Sequence, residues 1–343
     1  MAKRLVVCCD GTWNHADQKY PTNVLKVARA VAPSAPDGTP QVVFYDEGVG
    51  TGNLVDRLLG GIFGTGLDKN VKDAYTFLMN NYEEDDEVFV FGFSRGAHTA
   101  RRTAGLLRKA GLLKKVNGGM YREAYAFYLR RDPRPDMPDV VEFRDKNSRA
   151  IDLKFLGVWD TVGAEGLPVR KLRWTTKLTG KNYRFQDNKL SRRVKHGYQA
   201  LAIDEQRGPY LPTVWNNPES PGQVIEQVWF AGVHSDVGGG SGRVGLSDTA
   251  LSWMIKKAEG CGLAFDRDHV GSTVKPDASV MPGSNRGFIW RLIRNVSRPM
   301  GAVSPRTEAV HISAQQKHAA GAPGYAPQNL VRYLASPDHK VAQ

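Results

Sequence analysis

The chain has 343 residues, 41% of them hydrophobic, and a formal net charge of +12. It is long enough to bury a large core, as one large α/β domain or two ordinary ones, and its charge predicts a surface that attracts nucleic acid, anionic lipid headgroups or an acidic partner. Three cysteines, two of them adjacent in an apolar run, argue against a disulfide framework and predict buried free thiols in a reducing compartment.

No segment predicts Sec-type export or membrane insertion. The N-terminal apolar run ends at Asp10, before a signal h-region is complete, and no other stretch approaches the roughly 18 apolar residues that span a bilayer. We therefore expect a protein that is cytoplasmic as synthesised and, if it is exported, uses a route that needs no Sec signal.

Five apolar segments, each followed by turn residues, predict buried strands. They are RLVVCC, QVVFYD, EVFVFGF, IDLKFLGVW and VIEQVWFAGV. Amphipathic segments between them predict helices at residues 22–32, 67–82 and 95–113, the first with Thr22 or Asn23 as its N-cap. This alternation predicts an α/β fold with a mostly parallel central sheet and helices on both faces, in a single domain over residues 1–343.

Two regions fall outside this pattern. A basic insertion at about residues 165–200 contains the segment Arg170–Lys195, which has ten Lys or Arg residues and one acid, Asp187, with aromatic residues between them. It predicts a lid or a surface for anionic headgroups, or else a solvated pair of helices without a ligand. Gly, Pro and short apolar runs at about residues 262–343 predict a loosely built C-terminal region.

Reactive side chains cluster where the predicted strands end. The motifs CDGTWN, YDEGVGTG, GFSRGA, VWDTVGA and GVHSDVGGG each stand at such an end. Because ligands bind at the carboxyl ends of parallel strands, we expect these motifs to meet at one edge of the sheet.

The segment GFSRG matches the GxSxG pattern, in which a strained turn between a strand and a helix projects a nucleophilic serine. In a chain with 36 glycines the pattern alone is weak, but here an apolar strand precedes it and a helix follows. The helix dipole and the backbone N–H of Arg95 should stabilise an oxyanion beside Ser94. A second N–H is expected from Gly11 or Thr12, in a loop held by Asp10.

A nucleophilic serine needs a base, and the base needs a carboxylate that orients it. After Ser94, the first strand-terminal acid is Asp160 and the first strand-terminal histidine is His234, which is the chain order of α/β-hydrolases. His311 is an alternative base, since a late loop often supplies the histidine in such folds. His98, one helical turn beyond Ser94, is expected to be structural.

A metal site at the same edge is a second hypothesis. Several hard oxygen ligands and one imidazole could hold calcium or magnesium in a phosphohydrolase, although no metal-binding spacing supports this. The residues concerned are Asp10, Asp46, Glu47, Asp160, His234 and Asp236. Asp236 also fits a supporting role as the cap of the glycine loop that follows it.

A third hypothesis is a non-catalytic module. The segment Arg170–Lys195 could bind anionic membranes or nucleic acid, although the chain contains no nucleic-acid-binding motif.

Five ordered motifs resemble the α/β-hydrolase family that contains the type VI secretion phospholipase effectors. They are CDGTWN, GFSRGA, GVWDTVGA, QALAIDEQRGPYLPTVW and VWFAGVHSDVGGG, within about Arg4 to Leu251. The resemblance implies an α/β-hydrolase fold and a triad of Ser94, Asp160 and His234. Family members often have a histidine where this chain has Gln199, and effectors are commonly much longer. We expect a serine hydrolase that cleaves carboxylic esters of a lipid or phospholipid and needs no cofactor.

Overall fold

The computed structural model describes residues 2–12, 14, 17–48, 63–130, 136–162, 188–283, 295–321 and 324–343. Within them, strands β1 to β10 are Arg4–Thr12, Gln41–Gly48, Glu87–Phe93, Leu112–Leu113, Ser148–Arg149, Leu153–Trp159, Val194–Ala202, Val224–Phe230, Glu308–His311 and Val341–Ala342. Helices α1 to α10 are Asn23–Ala30, Phe63–Asn81, Arg95–Ala110, Tyr121–Leu129, Pro138–Asn147, His234–Gly238, Val244–Gly260, Arg267–Thr273, Ile312–Ala319 and Gln328–Leu334.

A parallel sheet forms the centre of the molecule. Eight of the described strands lie in the order β10-β9-β8-β7-β6-β3-β1-β2, and each neighbouring pair is parallel. The short strands β4 and β5 form a separate antiparallel pair. The parallel sheet confirms the predicted α/β fold, and it brings the carboxyl ends of β1, β3, β6 and β8 to one edge.

Alternation along β1 explains why helices cover both faces of the sheet. Leu5 and Val7 belong to one buried cluster with residues of α2 and α3, whereas Val6 and Cys8 belong to a second cluster with residues of α1 and α7. Each buried apolar side chain contributes about 1.5–3 kcal/mol, so both clusters stabilise the layered arrangement. Cys8 and its neighbour Cys9 therefore face opposite cores, and both are buried free thiols, as predicted.

Two regions differ from the sequence-based expectation. Residues 194–200, placed in the basic insertion by their sequence, form most of the central strand β7. The region at 262–343, expected to be loosely built, adds β9 and β10 to the sheet. Both were missed for a physical reason: β7 carries the polar residues Lys195, His196 and Gln199, which interrupt the apolar pattern, and β9 and β10 are very short.

Most of the basic segment, residues 170–187, lies outside the described residues, so its predicted role as a lid stays a prediction. In the part of the chain that is described, no helix is both long enough and apolar enough to cross a membrane.

Candidate active site

Ser94 occupies a strained turn between β3 and α3. Its φ of 55° and ψ of −115° lie in a region that side-chain-bearing residues rarely adopt. The flanking glycines are required by space: a Cβ on Gly96 would lie 2.0 Å from the carbonyl oxygen of Cys9, and one on Gly92 would lie 2.5 Å from that of Gly96. This is the geometry of a nucleophile elbow, in which a sharp turn exposes the serine hydroxyl above the sheet.

A continuous chain of hydrogen bonds joins Ser94 to His234 and Asp160. His234 Nε2 lies 2.9 Å from Ser94 Oγ, and His234 Nδ1 lies 2.6 Å from Asp160 Oδ2. The three residues follow β3, β8 and β6, so three separate strand ends position them. His234 starts α6, and Asp160 has a positive φ of 38° and donates its backbone N–H to the carbonyl of Ala200 at 2.8 Å.

The carboxylate of Asp160 is completely buried and paired with an arginine that the sequence did not indicate. Arg298 donates to Asp160 Oδ1 at 2.6 Å and to Oδ2 at 3.0 Å, and the Ala202 N–H donates to Oδ1 at 3.1 Å. Burial by itself would raise the pKa of Asp160, but Arg298 and the hydrogen bond from His234 outweigh it and hold this pKa well below its usual range. Asp160 is therefore ionised at neutral pH.

The segment Asp204–Tyr210, part of the motif QALAIDEQRGPYLPTVW, surrounds His234. Glu205 accepts the backbone N–H of His234 at 3.3 Å and forms an ion pair with Arg207 at 2.7 Å. The Arg207 guanidinium stacks on the ring of Tyr210, and that ring packs edge-on against His234. Sequence reasoning assigned no individual role to these residues. The ring of Phe93 also packs against His234.

Asp236 supports α6, and its carboxylate forms no hydrogen bond with Ser94, Asp160 or His234 in the described structure. Its Oδ2 accepts the N–H groups of Val233 at 3.1 Å and Gly283 at 2.9 Å, and its Oδ1 accepts Arg243 Nε at 2.9 Å. These contacts fix the start of the helix that carries His234.

Asp10 ties down the loop after β1, as the sequence predicts. Its carboxylate accepts the Gly11 N–H at 2.6 Å, the Tyr45 hydroxyl at 2.8 Å and the Thr22 hydroxyl. Burial raises the pKa of Asp10 to about 6, although these hydrogen bonds oppose the shift. Thr22 also accepts the N–H of Leu25 and is the N-cap of α1, so the loop and the helix are held together.

The end of β1 lies against Ser94, since a Cβ on Gly11 would lie 3.3 Å from Ser94 Cβ. The Gly11 N–H is already bound to Asp10, which leaves the backbone N–H groups of Thr12 and Arg95 as the predicted oxyanion donors. Arg95 is the first residue of α3, where backbone N–H groups have no partner within the helix.

Two further histidines that the sequence analysis considered, His98 and His311, occupy different surroundings. His98 is fully buried with its Nε2 against the carbonyl oxygen of Val162, and burial lowers its pKa to about 3. His311, at the end of β9, shares a hydrogen bond of 2.7 Å between its Nδ1 and Ser313 Oγ and stacks on Phe230, and burial lowers its pKa to about 4. Neither contacts Ser94 in the described structure, so the geometry favours His234 as the base.

Within the described ranges, no three His, Cys, Asp or Glu side chains converge as metal ligands. Asp46 and Glu47 stand at the end of β2, and both oxygens of Asp160 accept hydrogen bonds from the protein. Gln199, at the position where the family often has histidine, is buried in β7 and bonds to Arg101 and the carbonyl of Thr213, each at 3.1 Å. The metal hypothesis stays a prediction.

Three known proteins are similar to this chain. An uncharacterized protein of Saccharomyces cerevisiae is 28% identical, and the match covers 62% of this chain and 34% of the yeast protein, so the chain spans about a third of that relative. A crystal structure of an uncharacterized protein from Pseudomonas aeruginosa gives a TM-score of 0.47 at 18% identity, over 81% of this chain and 49% of that one. The structure of the Tle1 effector bound to the VgrG spike of the type 6 secretion system gives a TM-score of 0.39 at 20% identity. That match covers 69% of this chain and 51% of the Tle1 chain.

The match to a protein family is more extensive. Residues 3–257, which include Ser94, Asp160 and His234, match the catalytic domain of the Tle1-like phospholipase effectors of type VI secretion systems. The chain therefore belongs to the Tle1-like phospholipase effector family, and it contains that family's catalytic domain.

Proposed function

We propose that the protein is a serine hydrolase that cleaves carboxylic ester bonds of phospholipids, with Ser94 as nucleophile, His234 as base and Asp160 as the orienting acid. The observation that carries this proposal is the unbroken hydrogen-bonded chain from Ser94 Oγ through His234 to Asp160, at a strained turn. Membership of a phospholipase effector family supports the choice of a lipid ester as substrate.

Each residue has a defined part in the proposed reaction. Ser94 Oγ attacks the acyl carbon while its proton passes to His234 Nε2, and the carbonyl oxygen becomes an oxyanion bound by the N–H groups of Thr12 and Arg95. Collapse of this intermediate breaks the ester C–O bond, and the leaving alcohol takes the proton from His234. Water then attacks the acyl-serine, gives a proton to His234 and releases the carboxylic acid as Ser94 recovers its proton.

Asp160 orients His234 for this proton transfer. A hydrogen bond from His234 Nδ1–H to Asp160 fixes the tautomer whose Nε2 lone pair faces the Ser94 hydroxyl. The ionised carboxylate also stabilises the imidazolium that forms when His234 accepts the proton.

The test is a substrate panel on wild type and Ser94→Ala, using vesicles of neutral and anionic phospholipids and a water-soluble short-chain ester. We expect wild type to release fatty acid from the vesicles, and Ser94→Ala to lose at least about 10³-fold in rate on every hydrolysed ester. An active-site fluorophosphonate should label wild type and not the variant. Equal labelling of both proteins would overturn the assignment of Ser94.

The same panel separates the other two hypotheses. Hydrolysis of phosphate esters that survives in Ser94→Ala and stops with a chelator would favour a metal-dependent phosphohydrolase. Salt-sensitive binding to anionic vesicles without any ester turnover would favour a binding module.

A further inference from the structure

A buried arginine from the C-terminal region clamps the carboxylate of Asp160. Arg298 is 1% exposed and Asp160 is 0% exposed. The two guanidinium Nη atoms each bond a different carboxylate oxygen, at 2.6 and 3.0 Å, and the same atoms also donate to the backbone carbonyls of Ala202 and Tyr210. Such a two-pronged contact fixes the plane of a carboxylate as well as its charge.

Asp160 needs such a partner for two reasons. An ionised carboxylate without water is costly and takes up a proton unless a cation compensates it. A carboxylate that is free to rotate also directs its lone pairs poorly toward a single N–H donor. Burial would raise the pKa of Asp160, and Arg298 is the strongest influence that lowers it.

We propose that Arg298 is a positioning residue for the hydrolase site: it keeps Asp160 ionised and turns the carboxylate so that Oδ2 accepts the hydrogen bond of His234 Nδ1. This inference rests on the proposed function, because it assigns Arg298 a role in the proton transfer from Ser94. Arg298 touches neither Ser94 nor His234 in the described contacts, so it acts through Asp160.

Other charged side chains around the site form ion pairs with one another rather than with Asp160 or Arg298. Glu205 pairs with Arg207, and Asp236 pairs with Arg243. Among the described residues, Ser94 and Tyr210 contact His234, the other partner of Asp160. Among the described residues, Arg298 is the cation in direct contact with Asp160, so its removal should have a larger effect on this pair than the removal of another nearby charge.

Arg298 also lies beyond residues 3–257, the part of the chain that matches the family. The region after that match therefore contributes to the proposed site through one side chain. This placement makes Arg298 a residue that the motifs of the matched region do not indicate.

The experiment measures kcat and KM against pH for the full chain and for Arg298→Gln. Without the cation, protonation of the Asp160–His234 pair becomes easier, so the acidic limb of kcat/KM should move to higher pH by about one unit or more. We expect kcat at pH 7 to fall by about 10- to 100-fold with little change in KM, because Arg298 does not meet the substrate. The variant Arg298→Lys keeps the charge, so its acidic limb should stay near that of wild type while its kcat falls about tenfold for lack of the two-pronged contact.

The matched control is Arg4→Gln. Arg4 is also buried and bonds two acids, Glu87 at 3.2 Å and Asp37 at 3.0 Å, but it stands at the start of β1, away from the strand ends that carry the site. Its loss should lower thermal stability and leave the acidic limb in place.

The outcomes separate this inference from the proposed function. If Arg298→Gln folds and its acidic limb and kcat match those of wild type, Arg298 is only structural and the inference is wrong. If that variant does not fold, Arg298→Lys decides: wild-type kcat would overturn the inference, and a reduced kcat with an unmoved limb would support it. Full activity in Ser94→Ala would instead overturn the proposed function itself.

Discussion

Two parts of the chain build one site in different ways. The part that matches the family, residues 3–257, provides the three hydrogen-bonded residues at three strand ends, whereas the part after it provides Arg298. The first group lies in short motifs because the roles proposed for it, nucleophile, base and acid, need particular turns and strand ends. Arg298 needs only burial and a partner, so nothing in its sequence surroundings marks it.

One candidate base, His234, lies in the first part, and the other, His311, lies in the second. Replacing each of them separately should give the largest difference in kcat/KM. His234→Asn should lower kcat/KM by about 10³-fold or more, because His234 is the proposed base and, among the described residues, the side chain hydrogen-bonded to Ser94 Oγ. His311→Asn should change kcat/KM by less than about threefold, since its side chain bonds Ser313 and stacks on Phe230. Steady-state kinetics on the short-chain ester would measure both.

Thermal unfolding of both variants controls for loss of fold. If His234→Asn retains activity and a folded His311→Asn loses it, the base is His311, in the C-terminal region, and the assignment of His234 is wrong.

The next prediction concerns the free energy of unfolding and the residue that anchors the C-terminal region to the sheet. Glu308 on β9 is completely buried and accepts the indole N–H of Trp229 at 2.9 Å and the backbone N–H groups of Gly301 and Ser304 at 2.8 and 2.7 Å. Glu308→Ala leaves these three donors without their acceptor, so the free energy of unfolding should fall by about 3 kcal/mol, as measured by urea denaturation.

The control is Glu83→Ala, whose exposed side chain pairs with Lys115 and should contribute less than about 1 kcal/mol. Equal unfolding free energies for the two variants would mean that the C-terminal region is not anchored through Glu308.

The sequence predicts most of the fold and also the three residues that the structure joins by hydrogen bonds at the proposed site. The apolar strands, Thr22 as N-cap and the order of Ser94, Asp160 and His234 follow from periodicity, capping and turn chemistry, which are local. The strand β7 is not predicted because Gln199 is buried by partners distant in sequence, Arg101 and Thr213. Long-range pairs of this kind, including Arg298 with Asp160, become visible only when the chain is folded.

The smallest predicted effect concerns a buried acid that lacks such a partner. Asp46, at the end of β2, is 9% exposed, and its Oδ2 has no hydrogen-bond partner among the described residues. Burial, with the nearby carboxylate of Asp73, raises the pKa of Asp46 to about 7. Asp160, by contrast, is more deeply buried but has a pKa below its usual range because Arg298 compensates its charge.

The pKa of Asp46 is higher in the folded chain than in the unfolded chain, so its contribution to stability is complete below about pH 4 and is lost as pH rises toward 7. Asp46→Asn removes this titration, and we expect its Tm to exceed that of wild type by about 3 °C at pH 8 with no gain at pH 4. Glu84→Gln, at an exposed position, should give the same difference from wild type at both pH values. A gain for Asp46→Asn that is equal at pH 4 and pH 8 would mean that folding does not raise the pKa of Asp46.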